Sequence, residues 1–140
     1  MNIKTIAFGA FAIALGACDY SSNPAALRGA NFVAPGNETN ITLSFDTKEP
    51  RIYGQVVNLY NGTYTARGNE ISFGPFASTM MMGPTAAMET EQEYFQFMSM
   101  VTGYDFRDGT LTLKTSDGRT MTFTQVDEIV SESEVITVVE

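Results

Sequence analysis

Glycine-bearing dipeptides recur at short intervals along this chain and restrict its fold more than any other feature. Asn61-Gly62, Gly68-Asn69, Asp108-Gly109 and Asp117-Gly118 all belong to the pairs that reach the positive φ angles of tight hairpin turns. Between them lie short alternating runs: Ile71 with Phe73, Tyr104 with Phe106, Leu111 with Leu113, Met121 with Phe123. Upstream, Ile41, Leu43 and Phe45 alternate with Thr42 and Ser44 in the same way. A period of two puts one set of side chains on each face of a strand. Thr110, Thr112, Thr120, Thr122 and Thr124 occupy the second face. The expectation is an antiparallel meander, apolar inside and rich in hydroxyls outside.

Ala25 to Val33, with Leu27, Phe32 and Val33, is expected to enter as the first strand, and Pro35-Gly36-Asn37 to turn the chain. After a polar loop at Asp46 to Pro50, Arg51 to Tyr60 reads as one strand closing into a type I′ hairpin at Asn61-Gly62. Thr79 to Gly103 departs from the meander. A helix is expected over about 85–102, with Thr85 as N-cap, Glu89 and Glu91 near its positive end and Gly103 just past its close. Met88, Phe95, Met98 and Val101 or Thr102 fall on one stripe, with Tyr94 beside it. Residues 127–140 form an acidic extension. Within it Val135 to Val139, between Glu134 and Glu140, reads as an edge strand with charged gatekeepers.

The beginning of the chain reads as an address. Lys4 supplies a short positive region, and Ile6 to Leu15 an apolar one too short to span a bilayer as a finished helix. Leu15-Gly16-Ala17-Cys18 resembles the lipobox of bacterial lipoproteins: small residues fit a peptidase cleft and the Cys18 thiol takes a diacylglycerol. Residues 1–17 are thus expected to be a signal peptide, 18–24 a lipidated tether and 25–126 the folded domain. Cys18 is the sole cysteine, and acylation removes what would otherwise be a loose thiol in an oxidising compartment. Acyl chains anchor the mature protein in the envelope, facing the periplasm. Asp19 resembles the signal that keeps lipoproteins in the inner membrane of enteric bacteria and favours that membrane over the outer one. Losing Lys4 leaves seven Lys and Arg against sixteen Asp and Glu. Such a surface repels nucleic acid and anionic headgroups, so membrane contact is expected through the lipid.

The order of several short motifs resembles the META domain of HslJ-like envelope proteins. They are Ile41 to Phe45, Tyr53-Gly54, Asn58-Leu59-Tyr60-Asn61-Gly62-Thr63-Tyr64, Thr79-Met80-Met81, Met88-Glu89 with Glu91, Leu111 to Leu113, and Thr122-Phe123. The resemblance runs from about Leu27 to Val126. It implies a small, barrel-like antiparallel sheet, lipocalin-like in topology, with one packed helix. Gly54, Asn58, Tyr60, Gly62, Tyr64, Thr79, Met81 and Glu91 are its structural motif residues. Many members carry two cysteines held to pair; Val57 and Gly83 stand in those places here. Their loss forgoes about 2–4 kcal/mol of cross-link stabilisation, which Met80, Met81 and Met82 are expected to recover as adaptable core filler. A tryptophan common near the start of the domain is absent, and Phe32 is expected to do its work.

Little of the sequence points to chemistry. The chain has no histidine, which removes the commonest general base and metal ligand. Glu89 and Glu93, four apart on a helix, allow paired acid–base work but are expected to form a solvated face. Met80, Met81, Met82 and Met88 could bind copper(I) through thioethers, yet their apolar, periodic flanks favour core filling. Asn58, Tyr60 and Tyr64 are expected to fix the Asn61-Gly62 hairpin rather than touch a ligand. No catalytic residue, cofactor or metal is therefore expected. The function expected is that of a monomeric, non-enzymatic, lipid-anchored factor that contacts another envelope protein, in a stress-related role. The alternative is a barrel lipoprotein that binds a small molecule.

Overall fold

The computed structural model describes residues 23–129, so the lipobox, Cys18, the start of the tether and the strand expected at 135–139 lie outside the described residues. Nine strands follow a short 3-10 turn at Pro24–Leu27: β1 Asn31–Pro35, β2 Asn40–Phe45, β3 Arg51–Gln55, β4 Leu59–Arg67, β5 Glu70–Phe73, β6 Ala77–Ser78, β7 Val101–Arg107, β8 Thr110–Thr115 and β9 Thr120–Val126. The helix α1, Thr85–Ser99, lies between β6 and β7. The ladder runs β3-β2-β1-β9-β8-β7-β5-β4, and β4 pairs back onto β3. All these pairs are antiparallel, so the chain closes an eight-stranded barrel with β6 added to the start of β4. The thinnest seam joins β5 to β7 through Glu70 opposite Gly103, reinforced by the Tyr104 hydroxyl donating to Gly68 O at 2.8 Å.

Alternation fills the interior as the strands require. Phe32, Leu43, Phe45, Leu111, Leu113 and Phe123 are buried, while the β9 threonines stay exposed. Phe32 packs edge-on against Phe45 at 5.9 Å and Phe106 at 5.3 Å, the geometry aromatic quadrupoles favour. Three of the expected turn pairs are hairpin turns with positive φ: Gly68 at 60°, Asp108 and Gly109 at 53° and 76°, Gly118 at 93°.

Asn61-Gly62 is not a turn. Both residues lie inside β4, and neither has the positive φ that a type I′ hairpin demands. The reversal occurs earlier, at Val56-Val57-Asn58, and splits the strand expected at 51–60 into β3 and the start of β4. Gly62 is small for a different reason: a Cβ there would lie 2.6 Å from Phe76 Cδ1. The first expected strand is also shifted. Residues 24–27 make a 3-10 turn capped by Asn23 Oδ1, and β1 begins only at Asn31.

Helix α1 stops at Ser99, three residues before the expected end, because Val101 already pairs with Thr115. Thr85 is its first residue rather than its cap, Pro84 precedes it without a side-chain cap, and Gly103 sits in β7 at a bulge. The buried stripe is Ala87, Glu91, Tyr94, Phe97 and Met98, with Met88 and Phe95 half-buried beside it. The helix touches the β1–β2 turn through Thr90 and Asn37, the β3–β4 turn through Glu91, and Arg119 after β8 through Phe97. All of these occur at the same end, so α1 lies across one mouth of the barrel. The 3-10 turn, the β2–β3 loop and the β7–β8 turn lie at the other.

Candidate functional site

Four of the residues singled out in the sequence, Asn58, Thr79, Met81 and Glu91, meet at the helix-covered mouth around one buried carboxylate. Glu91 interrupts an otherwise apolar stripe, and its side chain reaches the β3–β4 turn. Its Oε1 accepts the backbone N–H groups of Val57 at 3.0 Å and Asn58 at 2.7 Å. Its Oε2 accepts the Asn58 side-chain amide at 2.8 Å. Asn58 is 3% exposed and uses its full capacity. Its amide nitrogen also donates to Met81 O at 3.2 Å. Its Oδ1 accepts the Thr79 hydroxyl at 2.9 Å and the Met81 N–H at 2.5 Å. Thr79 Oγ1 in turn accepts the Leu59 N–H at 3.1 Å.

Asn58, Thr79, Met81 and Glu91 are thus one hydrogen-bonded unit joining helix, turn and the segment ahead of the helix. Asn58 does not fix a hairpin at Asn61-Gly62; it clamps these three pieces. Glu91 is saturated with donors and shielded from solvent, so it is not placed to transfer protons to a substrate. Glu89 and Glu93 stand exposed, as a solvated helical face should.

A second set of motif residues sits below this unit. Tyr60 lies opposite Gly54 across β3 and β4, and its hydroxyl donates to Thr42 O at 2.7 Å. A Cβ on Gly54 would fall 2.1 Å from that same oxygen, so only glycine permits the approach. Tyr60 also shares a short hydroxyl–hydroxyl hydrogen bond with Tyr94 of the helix. Burial pushes both phenols well above the ordinary tyrosine range. Tyr64 packs edge-on against Phe45 at 5.0 Å, within the core.

Two features go against the sequence reading. Met80, Met81 and Met82 do not fill the core; they are 92%, 49% and 87% exposed. The backbone bonds between Met81 and Asn58 hold the segment at the surface and turn its side chains outward. Val57 and Gly83, by contrast, do meet: a Cβ on Gly83 would lie 3.0 Å from Val57 Cγ1. The sequence places Glu91 in a motif and near the helix's positive end, but no acidic residue lies in the first turn, and Glu91 is buried in the second. Its position in register with Ala87, Tyr94 and Met98 was the signal that it would be buried.

Among the described residues there is no group of three or more His, Cys, Asp and Glu able to hold a metal, and no helix long and apolar enough to cross a membrane. Fold and site together define a class: closed antiparallel barrels with one helix pinned across a mouth by a buried carboxylate. The chain belongs to the META domain family, which it matches over residues 22–128. Two solved structures share the fold. A protein from Burkholderia xenovorans, determined by NMR, superposes with a TM-score of 0.63 at 23% identity, covering 76% of this chain and 90% of that one. A second NMR structure gives 0.59 at 20% identity, covering 73% and 93%. No curated protein matches the sequence.

Proposed function

We propose that the protein is a lipid-anchored bacterial envelope factor that works without catalysis, by contacting another envelope protein in a stress-related role. The filled barrel carries this reading. Phe45 and Phe123 are buried at its centre, and Phe73 and Phe106 pack against the same core. An eight-stranded barrel is just wide enough for side chains to occupy, and one so occupied leaves its outer surface and loops to act. A small-molecule binder would need an enclosed site. The groove beside α1, about 610 Å³ and lined by Pro35, Asn37, Thr90, Phe97 and Arg119, is open-sided. A ligand there would keep much of its surface in water, unlike one in an ordinary binding pocket.

The address rests on the lipobox. Asn23 leads into the 3-10 turn at the barrel end opposite α1. Five residues from Cys18 reach no more than about 17 Å. A lipidated Cys18 would therefore hold that end toward the bilayer and present the helix end to the periplasm.

Two measurements test the reading. Cys18→Ser should abolish palmitate labelling and leave the precursor unprocessed; labelling that survives the substitution overturns the anchor. Photocrosslinking in intact membranes from a probe at Gln92, exposed on the helix, should give a discrete protein adduct, and a probe at Asp108 on the opposite end should not. No adduct from Gln92, or equal adducts from both, overturns the contact surface.

A further inference from the structure

The seam between β1 and β9 closes over only part of its length, and the sequence gives the reason. Thr124, Gln125 and Val126 pair with Val33, Phe32 and Asn31, and the ladder ends there. Backbone direction alternates along a strand. The Gln125 N–H donates to Gly109 O on the β8 side, and Arg119 O accepts the Thr115 N–H on that side. Thr120 and Thr122 therefore turn their backbone groups the other way, toward β1. In this register Thr122 falls opposite Pro35, which has no N–H to give. Thr120 falls opposite Asn37, whose N–H and carbonyl are taken by the Thr90 hydroxyl at 3.1 and 3.3 Å. So β9 keeps an open edge at Thr120 to Thr122, next to the helix-covered mouth. That edge opens into the groove of about 610 Å³ beside α1, whose lining includes Pro35, Thr120 and Met121. Buried Ile41 and Phe97 and half-buried Met121 supply its apolar surface. Of its two charged side chains, Arg119 is paired with Asp117 at 3.3 Å, whereas Glu93 has no ion-pair partner among the described residues.

We propose that this edge and groove take up an extended segment of the partner protein, which joins β9 as an added strand and carries apolar side chains alternating with Lys or Arg. The inference rests on the reading that the protein works through an envelope partner, and it names what that partner presents. An added strand supplies the N–H that Pro35 withholds from Thr122 O, and an acceptor for the Thr120 N–H. Its side chains alternate between faces, so every second one follows Met121 into the groove, toward Phe97 and Ile41. Charge selects the occupant. A basic segment meets Glu93 and a chain whose net charge is −8. The chain's own apolar run Val135 to Val139 lies between Glu134 and Glu140, and a second copy is as acidic as the first. Both would bring like charge to the groove. The open side that leaves a small molecule in water suits a strand, whose outer face stays solvated.

The test is fluorescence anisotropy of a labelled synthetic peptide alternating Lys and Val, titrated with the full-length protein in uncharged detergent. The peptide should bind, and a counterpart alternating Glu and Val should bind at least about tenfold more weakly, because like charge opposes docking. Glu93→Lys, at an exposed helical position, should weaken the Lys–Val peptide by about fivefold or more and leave the denaturation midpoint unchanged. Thr120→Pro removes an edge N–H at the first residue of β9, a place where a strand tolerates proline, and should weaken it by a similar factor. No binding of the Lys–Val peptide, or equal binding of the two peptides, overturns the inference, while the Gln92 crosslink tests the partner contact by itself. Glu93→Lys binding as tightly as the wild type also overturns it, whether or not Thr120→Pro folds. Tighter binding by a peptide of the chain's own residues 134–140 would assign the edge to that segment. A dimer in sedimentation that Thr120→Pro dissociates would assign it to a second copy. Either result overturns the proposal.

Discussion

Asn58 and Glu91, 33 residues apart, meet side chain to side chain at 2.8 Å, and Glu91 also holds the Asn58 backbone N–H at 2.7 Å. A helix lying across a barrel mouth shares no ladder bonds with the sheet, so side chains must set its position. Apolar contacts such as Tyr94 on Phe123 supply attraction but little direction. Hydrogen bonds supply the register: Glu91 meets one turn and no other, and through Asn58 it fixes Thr79 and Met81 as well.

Substitutions at this unit should therefore be costly and coupled. Asn58→Ala strands Glu91 Oε2 and the Met81 N–H, at about 2–4 kcal/mol for buried groups left unpaired. Glu91→Gln keeps the shape but aims an amide N–H₂ at the Asn58 amide, which is already a donor, and should cost about 1–2 kcal/mol. Asn58→Ala with Glu91→Ala should destabilise by less than the sum of the two single changes. Urea denaturation of the set decides this; strict additivity would mean the pair is not a unit.

Gly62→Ala should destabilise by about 1–3 kcal/mol through overpacking, because its new Cβ must displace the Phe76 ring. Phe76→Leu should then recover part of the loss. Gly109→Ala offers the contrast. No atom lies within 4 Å of a Cβ there, but φ is +76°, so its cost of about 1 kcal/mol is backbone strain that no neighbour can relieve. Denaturation midpoints with and without Phe76→Leu separate the mechanisms.

These two glycines show how far local pattern carries. Alternation and turn pairs located most strands, because a half-buried sheet writes its period of two into adjacent residues. Asn61-Gly62 misled because a dipeptide does not say whether its glycine is needed for φ or for a close neighbour; Phe76 is distant in sequence. Met80 to Met82 misled in the same way. Composition reads them as core, but Asn58, also remote in sequence, holds their backbone at the surface. The motif resemblance names Asn58, Thr79, Met81 and Glu91, which the structure joins in one hydrogen-bonded unit. What joins them is long-range hydrogen bonding, which has no local signature beyond a charge set in an apolar stripe.

Alkaline pH should unfold the barrel through its tyrosines. Burial raises the hydroxyls of Tyr60 and Tyr94 strongly, and burial together with the nearby Tyr64 pushes Tyr104 up to about 12. In the unfolded chain each ionises near pH 10 (about the ordinary tyrosine value). Below that pH both states keep their protons, and these groups leave stability flat. Above it the unfolded chain releases protons that the folded one retains, so stability falls as pH rises toward 12 and beyond. Urea midpoints should be constant through the weakly alkaline range and then drop. Tyr60→Phe should make the drop shallower. Phenolate absorbance from Tyr60 and Tyr94 should appear only as the protein unfolds; its appearance in the folded state would refute the argument.

Val57 and Gly83 offer a cross-link that the chain lacks. The 3.0 Å from a Gly83 Cβ to Val57 Cγ1 places the two β-carbons within the range a disulfide spans. Gly83 does not have a positive φ, so a cysteine fits its backbone without strain. In Val57→Cys/Gly83→Cys the sulfur at 57 replaces the methyl that would otherwise crowd position 83, and the bond turns that close approach into a covalent one. Oxidation should close a loop of roughly 25 residues and stabilise by about 3 kcal/mol in the chain-entropy account. Gly83→Cys alone should instead destabilise, since its side chain meets the intact Val57. Both comparisons are made on Cys18→Ser, which removes the competing thiol. Denaturation with and without reductant should show the midpoint of the double-cysteine protein rising only when oxidised. An oxidised form no more stable than the reduced one would mean that the bond strains the β3–β4 turn and the Glu91 clamp it carries.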